Sequence, residues 1–508
     1  MSRAKELKEA FVTGHTGTTP AETLLVSISA PIGIFFYNET KHFLTITNSS
    51  MTTLSLPILL ILETLGILLP MAICQTKYLY PHGVIFLSCE LACAVLLHYL
   101  RTKGANVEGQ ASPSKDEGVT MTTTKLEYLT FYRSTVSYLT FVAILAVDFS
   151  VFPRRFAKTE TSGYGLMDLG AGSFCISGGF VSSFARRRHQ PGPMPISKNE
   201  KKSRVMKVTL VFVKCLPLVM MGFIRLFTTK GLEYQEHVSE YGIHWNFFFT
   251  LSVVSVVSTI LRTSENSTTN YGEQIIWILL LGVYQAVLSF GNVQGFIESG
   301  PRQWNINGNG IINGIAETLV NFFYANREGI LGCLGYLALH FCSEDVGHYC
   351  LWSCNDGAEA KSRQGKRLLQ TACIGWTFHF ILASILNIPA SRRSTNATFC
   401  LWTLSHNVTI LFFSWLAFQL SANDSNSTRT FDGQNPPIFA AVNRHGLIIF
   451  LLANLMTGAV NLTMDTLEAS DRTALIVILL YLFCVGVVAI LVDWMLGHRR
   501  KYEKAKDI

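Results

Sequence analysis

Asp148 stands where an apolar run, Phe131 to Phe149, gives way to a basic loop. An ionised carboxylate costs about 2.5 to 3.5 kcal/mol at the centre of a bilayer and less towards its surface, so an acid in this position needs a partner or a task. Arg154, Arg155 and Lys158 follow shortly after Pro153, whose fixed φ and missing N–H end the helix and set the direction of the loop. Two readings fit these residues. In the first, Asp148 pairs with an arginine and orients a helix end. In the second, a carboxylate near a lysine at a membrane boundary is a general base beside a group that stabilises an oxyanion. A glycine-rich run from Gly163 to Gly172 lets backbone approach a neighbour or a ligand closely, and it contains a further carboxylate, Asp168, a candidate for substrate binding.

Four other clusters combine polar side chains with a place in or beside an apolar run. Between Tyr234 and Asn246 the chain gathers Glu236, His237, Glu240, His244 and Trp245 just before a very aromatic segment. This is either a substrate site or an interfacial belt, and His237 is an alternative base because an imidazole titrates in the useful range without tuning. Asn326 and Arg327 open another segment. A guanidinium there suits a phosphate, which it meets bidentately, or it pairs with Glu328. Asn443 and Arg444 precede a further segment. Along it Asn454, Asn461 and Asp465 are seven and four positions apart, so they share a helical face, as polar packing inside a bundle also requires. His348, Cys350 and Cys354 lie close together and are read as an ordinary loop rather than a metal site. No metal motif, nucleophile elbow, P-loop or dinucleotide fingerprint occurs at a usable position, which argues against hydrolase, ATPase and dehydrogenase activities.

The elements that must position these residues are membrane helices. Of the 508 residues 49% are hydrophobic and 15% charged, with a mean hydropathy of +0.32, too apolar for a soluble globular protein. The fold class is therefore all-α, a polytopic membrane protein folded as one multi-spanning domain over 1–508. The N-terminus has no compact apolar core ahead of a cleavage site, so the first spanning helix directs insertion. The cysteines are scattered without C-x-x-C, which indicates neither a disulfide scaffold nor a zinc ribbon. At about 20 apolar residues per span, about thirteen helices in one bundle are expected. They fall near 21–37, 52–74, 83–100, 129–149, 165–183, 208–227, 245–261, 275–290, 330–342, 371–388, 398–420, 446–464 and 474–496. The first and ninth are short enough to be re-entrant or interfacial. Flexible connectors are expected near 102–124, 189–204, 291–314 and 422–437, where Ser, Thr, Gly, Asn and Asp collect.

Lys and Arg concentrate in the loops after odd-numbered helices, above all between Arg186 and Lys207, which places the N-terminus in the lumen and the C-terminus in the cytosol. That basic run is a topology signal lying on anionic headgroups, not a nucleic-acid site. The ending Lys504-Ala505-Lys506-Asp507-Ile508 looks like a cytosolic dilysine retrieval signal of the endoplasmic reticulum. Against this topology, the sequons at Asn38, Asn48, Asn266, Asn423 and Asn426 fall on the cytosolic side, and that at Asn396 in the lumen. The charge bias is given the greater weight.

Longer strings are more specific. AILAVDFSVFPRRFAKTETSGYGLMDLGAG (143–172), GLEYQEHVSEYGIHWNFFFT (231–250), NREGILGCLGYLALH (326–340) and NRHGLIIFLLANLMTGAVNLTMDTL (443–467) resemble the inositol acyltransferase of glycosylphosphatidylinositol (GPI) anchor biosynthesis, the PIG-W family. The opening KEAFVTGHTGTTPAE (8–22) is similar too. The resemblance covers most of the chain in order and departs mainly at 102–124 and 291–314, which bears on substrate choice more than on chemistry. It implies thirteen spans with a lumenal N-terminus, and transfer of a fatty acyl group from acyl-CoA to the inositol 2-hydroxyl of glucosaminyl-phosphatidylinositol in the endoplasmic reticulum membrane. No cofactor is implied; acyl-CoA is the co-substrate.

On that reading Asp148 takes the inositol proton, worth about 10² to 10⁴ in rate, and Lys158 stabilises the oxyanion or orients Asp148. Arg154 and Arg155 hold phosphate of the lipid or of CoA, and His237 is the second choice of base. No cysteine adjoins an activating histidine in these strings, which disfavours an acyl-enzyme. With the loop after Asp148 in the lumen, cytosolic acyl-CoA either reaches in through the bundle or meets a deeper site. Two other classes compete. A proton-coupled transporter or lipid carrier calls for inverted repeats or paired broken helices, and the sequence has neither. A non-catalytic assembly subunit calls for Asp148 to matter through folding alone.

Overall fold

The computed structural model describes residues 14–47, 54–107, 126–186, 200–231, 241–264, 272–303, 311–353, 358–422 and 435–506. Among these the chain is helical, with no strand beyond an isolated bridge between Gly17 and Tyr164. Hydrocarbon offers no partner to a bare N–H or C=O, and a helix satisfies both within one apolar segment. Six helices matter most below: α1 (Glu127–Ala146), α2 (Leu166–Phe180), α3 (Phe247–Ser264), α4 (Arg327–Gly347), α5 (Ala397–Ser421) and α6 (Gly446–Thr463).

The chain is a helical membrane protein. Among the described residues nine helices are long and apolar enough to cross a membrane, from Pro20–Thr45 to Asp471–Gly497. A pair bent by 71°, Ile276–Phe290 with Val293–Ser299, makes ten if counted as one span. The other three of the thirteen expected segments fold as helices that are too short or too polar to be counted with these. α2 has 15 residues, or ~22 Å at 1.5 Å per residue, against a hydrocarbon core of ~30 Å. α3 holds only the shorter apolar stretch Phe247–Arg262. α4 has the length but carries Arg327, Glu328, Glu344 and Asp345. The bend in the paired helices sits at Asn292, which adopts a left-handed φ of 51°. Within the expected connector 291–314, Val293–Ser299 is helical and a further helix starts at Ile311.

The chain divides into two compact units. The first comprises Met1–Thr19 and Ala157–Val408, the second Pro20–Phe156 and Thr409–Ile508.

In the second unit the Ser29–Thr47 helix crosses the Leu56–Cys74 segment at Gly33, where a Cβ would lie 2.4 Å from the carbonyl oxygen of Gly66. Only glycine fits that crossing. The crossed segment widens to a π turn over Thr64–Leu68, next to Pro70, whose missing N–H breaks the regular ladder. Just before it Glu63 is fully buried, and its two oxygens accept the N–H groups of Ile438 (3.1 Å) and Phe439 (2.9 Å). A carboxylate here meets the unbonded N–H groups and the positive dipole end of the Pro437–Arg444 helix. That helix packs on α1, with the Phe439 ring 4.9 Å from Phe131 and 5.0 Å from Tyr138 between centroids.

In the first unit α2 lies along α4. The contact is close enough that a Cβ on Gly179 would sit 1.8 Å from the Ser343 hydroxyl. On α4 a Cβ on Gly335 would lie 2.1 Å from the carbonyl oxygen of Thr395, in the segment just before α5. α3 is tied to α4 by a buried ionic cluster. Arg262 Nε is 3.1 Å from Glu344, its Nη2 is 3.2 Å from Asp345, and His340 Nε2 is 3.4 Å from Glu344.

Candidate functional site

The end of α1 places Asp148. Val147 caps the helix, and the amides of Asp148 and Phe149 close tight turns onto Leu145 and Ala146. The half-buried Asp148 carboxylate accepts a 2.7 Å hydrogen bond from the side-chain amide of Asn461, near the end of α6. Asn461 in turn accepts from the Thr466 hydroxyl at 3.5 Å. Asp148 and Asn461, both candidates from the sequence, are thus brought together inside the second unit.

Arg154 serves the same turn. Its guanidinium donates to the carbonyls of Val147 (3.0 Å), Phe149 (2.9 Å) and Phe152 (3.0 Å). Burial lowers its pKa to about 10, with the charge of Asp148 acting in the opposite sense. These bonds direct donors of its guanidinium at the backbone of the Asp148 turn. Arg155 is exposed and forms a bidentate pair with Glu22 at 2.8 Å. Lys158 belongs to the other unit and is half-buried.

In the first unit Asp168 is fully buried at the third position of α2. One oxygen accepts the Thr159 N–H (3.1 Å), the Thr159 hydroxyl (2.9 Å) and the Gly165 N–H (3.1 Å). The other faces Arg392 Nε at 2.9 Å. Of the cluster before α3, His237 and Glu240 lie outside the described residues. The remaining three are ordered by their surroundings. The His244 N–H donates to Asn326 Oδ1 (2.7 Å), the Trp245 indole donates to Thr250 (2.9 Å), and Asn246 accepts from the Phe248 N–H (3.1 Å) while donating to the Gly222 carbonyl (2.9 Å). His244 and Asn326, from two separate sequence clusters, therefore meet, and Trp245 and Asn246 organise the start of α3.

Arg327 is buried, with donors on the carbonyls of Ile297, Pro301 and Tyr324. Its neighbour Glu328 is the hub of the region: Arg302 approaches it to 2.8 Å and Arg393 to 3.3 Å. At the far end of α6, Arg444 and His445 both pair with Asp493. Asn443 and Arg444 precede Asn461 by some 17 residues, or ~25 Å of helix, which keeps them away from Asp148. Asp465 lies past the end of α6, exposed, with its carboxylate on the Leu467 N–H at 3.1 Å. His348 Nδ1 lies 3.1 Å from the Ala185 carbonyl, Cys350 is buried, and Cys354 is outside the described residues.

A family model described as GWT1 matches residues 4–492. The chain belongs to the GWT1 (PIG-W) family. Among curated members, it is 31% identical over 515 residues to the GPI-anchored wall transfer protein 1 of Aspergillus fumigatus, covering 96% of this chain and 97% of the relative. It is 31% identical over 501 residues to that of Emericella nidulans, with 96% and 97% covered. To that of Candida albicans it is 30% identical over 516 residues, with 97% and 98% covered. The family strings quoted above hold most of the side chains just described, but not Ser391-Arg392-Arg393-Ser394-Thr395-Asn396. In this GWT1 member every residue from 391 to 400 is buried. Two adjacent arginines among small polar residues between apolar runs were the available signal, and a charge count reads them only as a loop.

Proposed function

We propose that this chain is an O-acyltransferase of GPI-anchor biosynthesis. It moves a fatty, palmitoyl-like acyl group from acyl-CoA to the inositol 2-hydroxyl of glucosaminyl-phosphatidylinositol in the endoplasmic reticulum membrane. Family membership and the names of the relatives support the pathway. The observation that carries the chemistry is the half-buried Asp148 carboxylate held by Asn461 at 2.7 Å. A base must be fixed within reach of its proton. Here an amide donor and the Arg154 clamp fix it without closing it off from solvent.

In the proposed reaction the inositol oxygen attacks the thioester carbon as Asp148 takes its proton. The tetrahedral oxyanion is stabilised by a cation, for which Lys158 is proposed on its place in the sequence. The C–S bond then breaks, and the proton leaves with the CoA thiol. Acyl-CoA and the glycolipid are the two substrates, and no cofactor takes part. Thirteen spans, a lumenal N-terminus and a cytosolic C-terminus complete the proposal.

The test uses membranes from cells lacking their own inositol acyltransferase, expressing the parent chain or Asp148→Asn at matched levels, with glucosaminyl-phosphatidylinositol and labelled palmitoyl-CoA. Label should enter lipid with the parent chain and fall at least 100-fold in the Asn form, typical of a lost general base, at equal protease resistance. No transfer by the parent chain moves the reading to a carrier. Equal transfer by both moves the base to His237.

A further inference from the structure

The loop that begins at Lys158 is bonded at nearly every residue, entirely within the first unit. Thr159 gives both its N–H and its hydroxyl to Asp168. The Glu160 N–H donates to the His15 carbonyl at 3.1 Å, and the Glu160 carbonyl accepts from Arg393 at 3.4 Å. Ser391 donates its hydroxyl to the Thr161 carbonyl at 2.7 Å. The Gly163 N–H donates to the Ala390 carbonyl at 2.8 Å, and the Tyr164 carbonyl accepts from the Thr18 N–H at 2.8 Å. The Gly165 N–H returns to Asp168.

Asp168 is the centre of this arrangement, and Arg392 is its counter-charge. With the side chains only 1% and 6% exposed, the two charges compensate one another out of water. The guanidinium also lies over the Tyr241 ring, 5.5 Å from its centroid. Arg392 sets its charge 2.9 Å from one carboxylate oxygen, and the other accepts from Thr159, the residue next to Lys158.

We propose that Arg392 is a positioning residue for acyl transfer, acting through Asp168 and Thr159 to hold Lys158 where the oxyanion forms. The inference rests on the reading of Lys158 as the oxyanion-stabilising cation. A catalytic group displaced by ~1 Å can cost about 10²-fold in rate. An ion pair whose only task is to hold the fold together would instead affect stability, whatever stands at position 158.

The experiment is a double-mutant cycle on the full chain in nanodiscs, with Arg392→Gln, Thr159→Val, Lys158→Arg and the two combinations with Lys158→Arg. It measures kcat, KM for palmitoyl-CoA and Tm. Thr159→Val removes one hydroxyl bond and keeps the branched shape, so it should fold as the parent and lose about 3- to 10-fold in kcat with KM unchanged. Arg392→Gln should lose about 100-fold. In the Lys158→Arg background neither change should lower kcat further, because the group they position is already displaced. Additive losses in that background, or a parental kcat for Thr159→Val, overturn the proposal. A parental kcat for Lys158→Arg refutes the role of Lys158 itself. A parent chain without transferase activity removes the reaction Arg392 serves and the inference with it.

Discussion

Asn461 and Asp148 are 313 residues apart in the chain and 2.7 Å apart in space. A point substitution removes the amide donor cleanly, whereas Arg154 also holds the backbone of the turn. A hydrogen bond to a charged group contributes about 1.5 to 3 kcal/mol. Asn461→Ala should therefore lower kcat roughly 10- to 100-fold in the membrane transfer assay while leaving KM for the acyl donor near parental. Parental turnover would show that Asp148 does not depend on this support.

Arg154 distinguishes a structural clamp from a phosphate ligand. Its planar fork reaches three carbonyls at once, which a lysine ammonium on a flexible stem does not match. Arg154→Lys should lower Tm and kcat together, with KM for acyl-CoA little changed. A selective rise in that KM at parental Tm would instead support the phosphate-binding role.

Two ion pairs of similar length should behave very differently on truncation. Lys77 and Asp471 are 2.6 Å apart with the lysine 48% exposed, whereas Arg262 lies 3.1 Å from Glu344 with both almost fully buried. Water screens the first, so Lys77→Ala should cost at most about 1 kcal/mol. Arg262→Ala leaves the buried Glu344 with only His340 beside it, a loss of about 3 to 5 kcal/mol. Thermal unfolding of the two variants in one detergent checks the contrast, and equal shifts would contradict it.

Gly163 combines a φ of +135° with a position where a Cβ would lie 2.0 Å from the Thr16 carbonyl oxygen. Gly163→Ala should destabilise the loop by more than about 1 kcal/mol, because the native conformation is closed to alanine. Faster proteolysis between residues 157 and 165, with lower transfer, is the expected result; parental resistance and turnover would show that the loop yields without loss.

The sequence reveals what is local. The apolar runs give nine of the expected spans, and the cost of an acid at a helix end singles out Asp148. The spacing of Asn454, Asn461 and Asp465 singles out one helix face, but only Asn461 reaches Asp148: Asn454 is exposed and bonds its own helix at Phe450, and Asp465 lies beyond the helix end. Composition cannot show which distant residue meets which. Arg393 and Glu328 pair across 65 positions, and Arg392 reaches Asp168 from another part of the chain. A positive-inside count treats such arginines as solvated markers of sidedness, when burial has turned them into counter-charges. The charged residues at the two ends of α4 are likewise held by partners distant in the chain, Glu328 by Arg302 and Arg393 and Glu344 by Arg262.

The Thr161 carbonyl and its donor Ser391 are separated by 230 residues. During synthesis at about 5 to 20 residues per second, the loop beginning at Lys158 waits roughly 10 to 45 s for the segment that completes it. Through that interval Asp168 has left the ribosome but Arg392 has not. The nascent chain therefore carries an uncompensated acid at the start of α2, a state in which chaperones and quality control can engage it. A ribosome stalled before residue 391 should display this loop as protease-sensitive, and one stalled well beyond residue 408 should not.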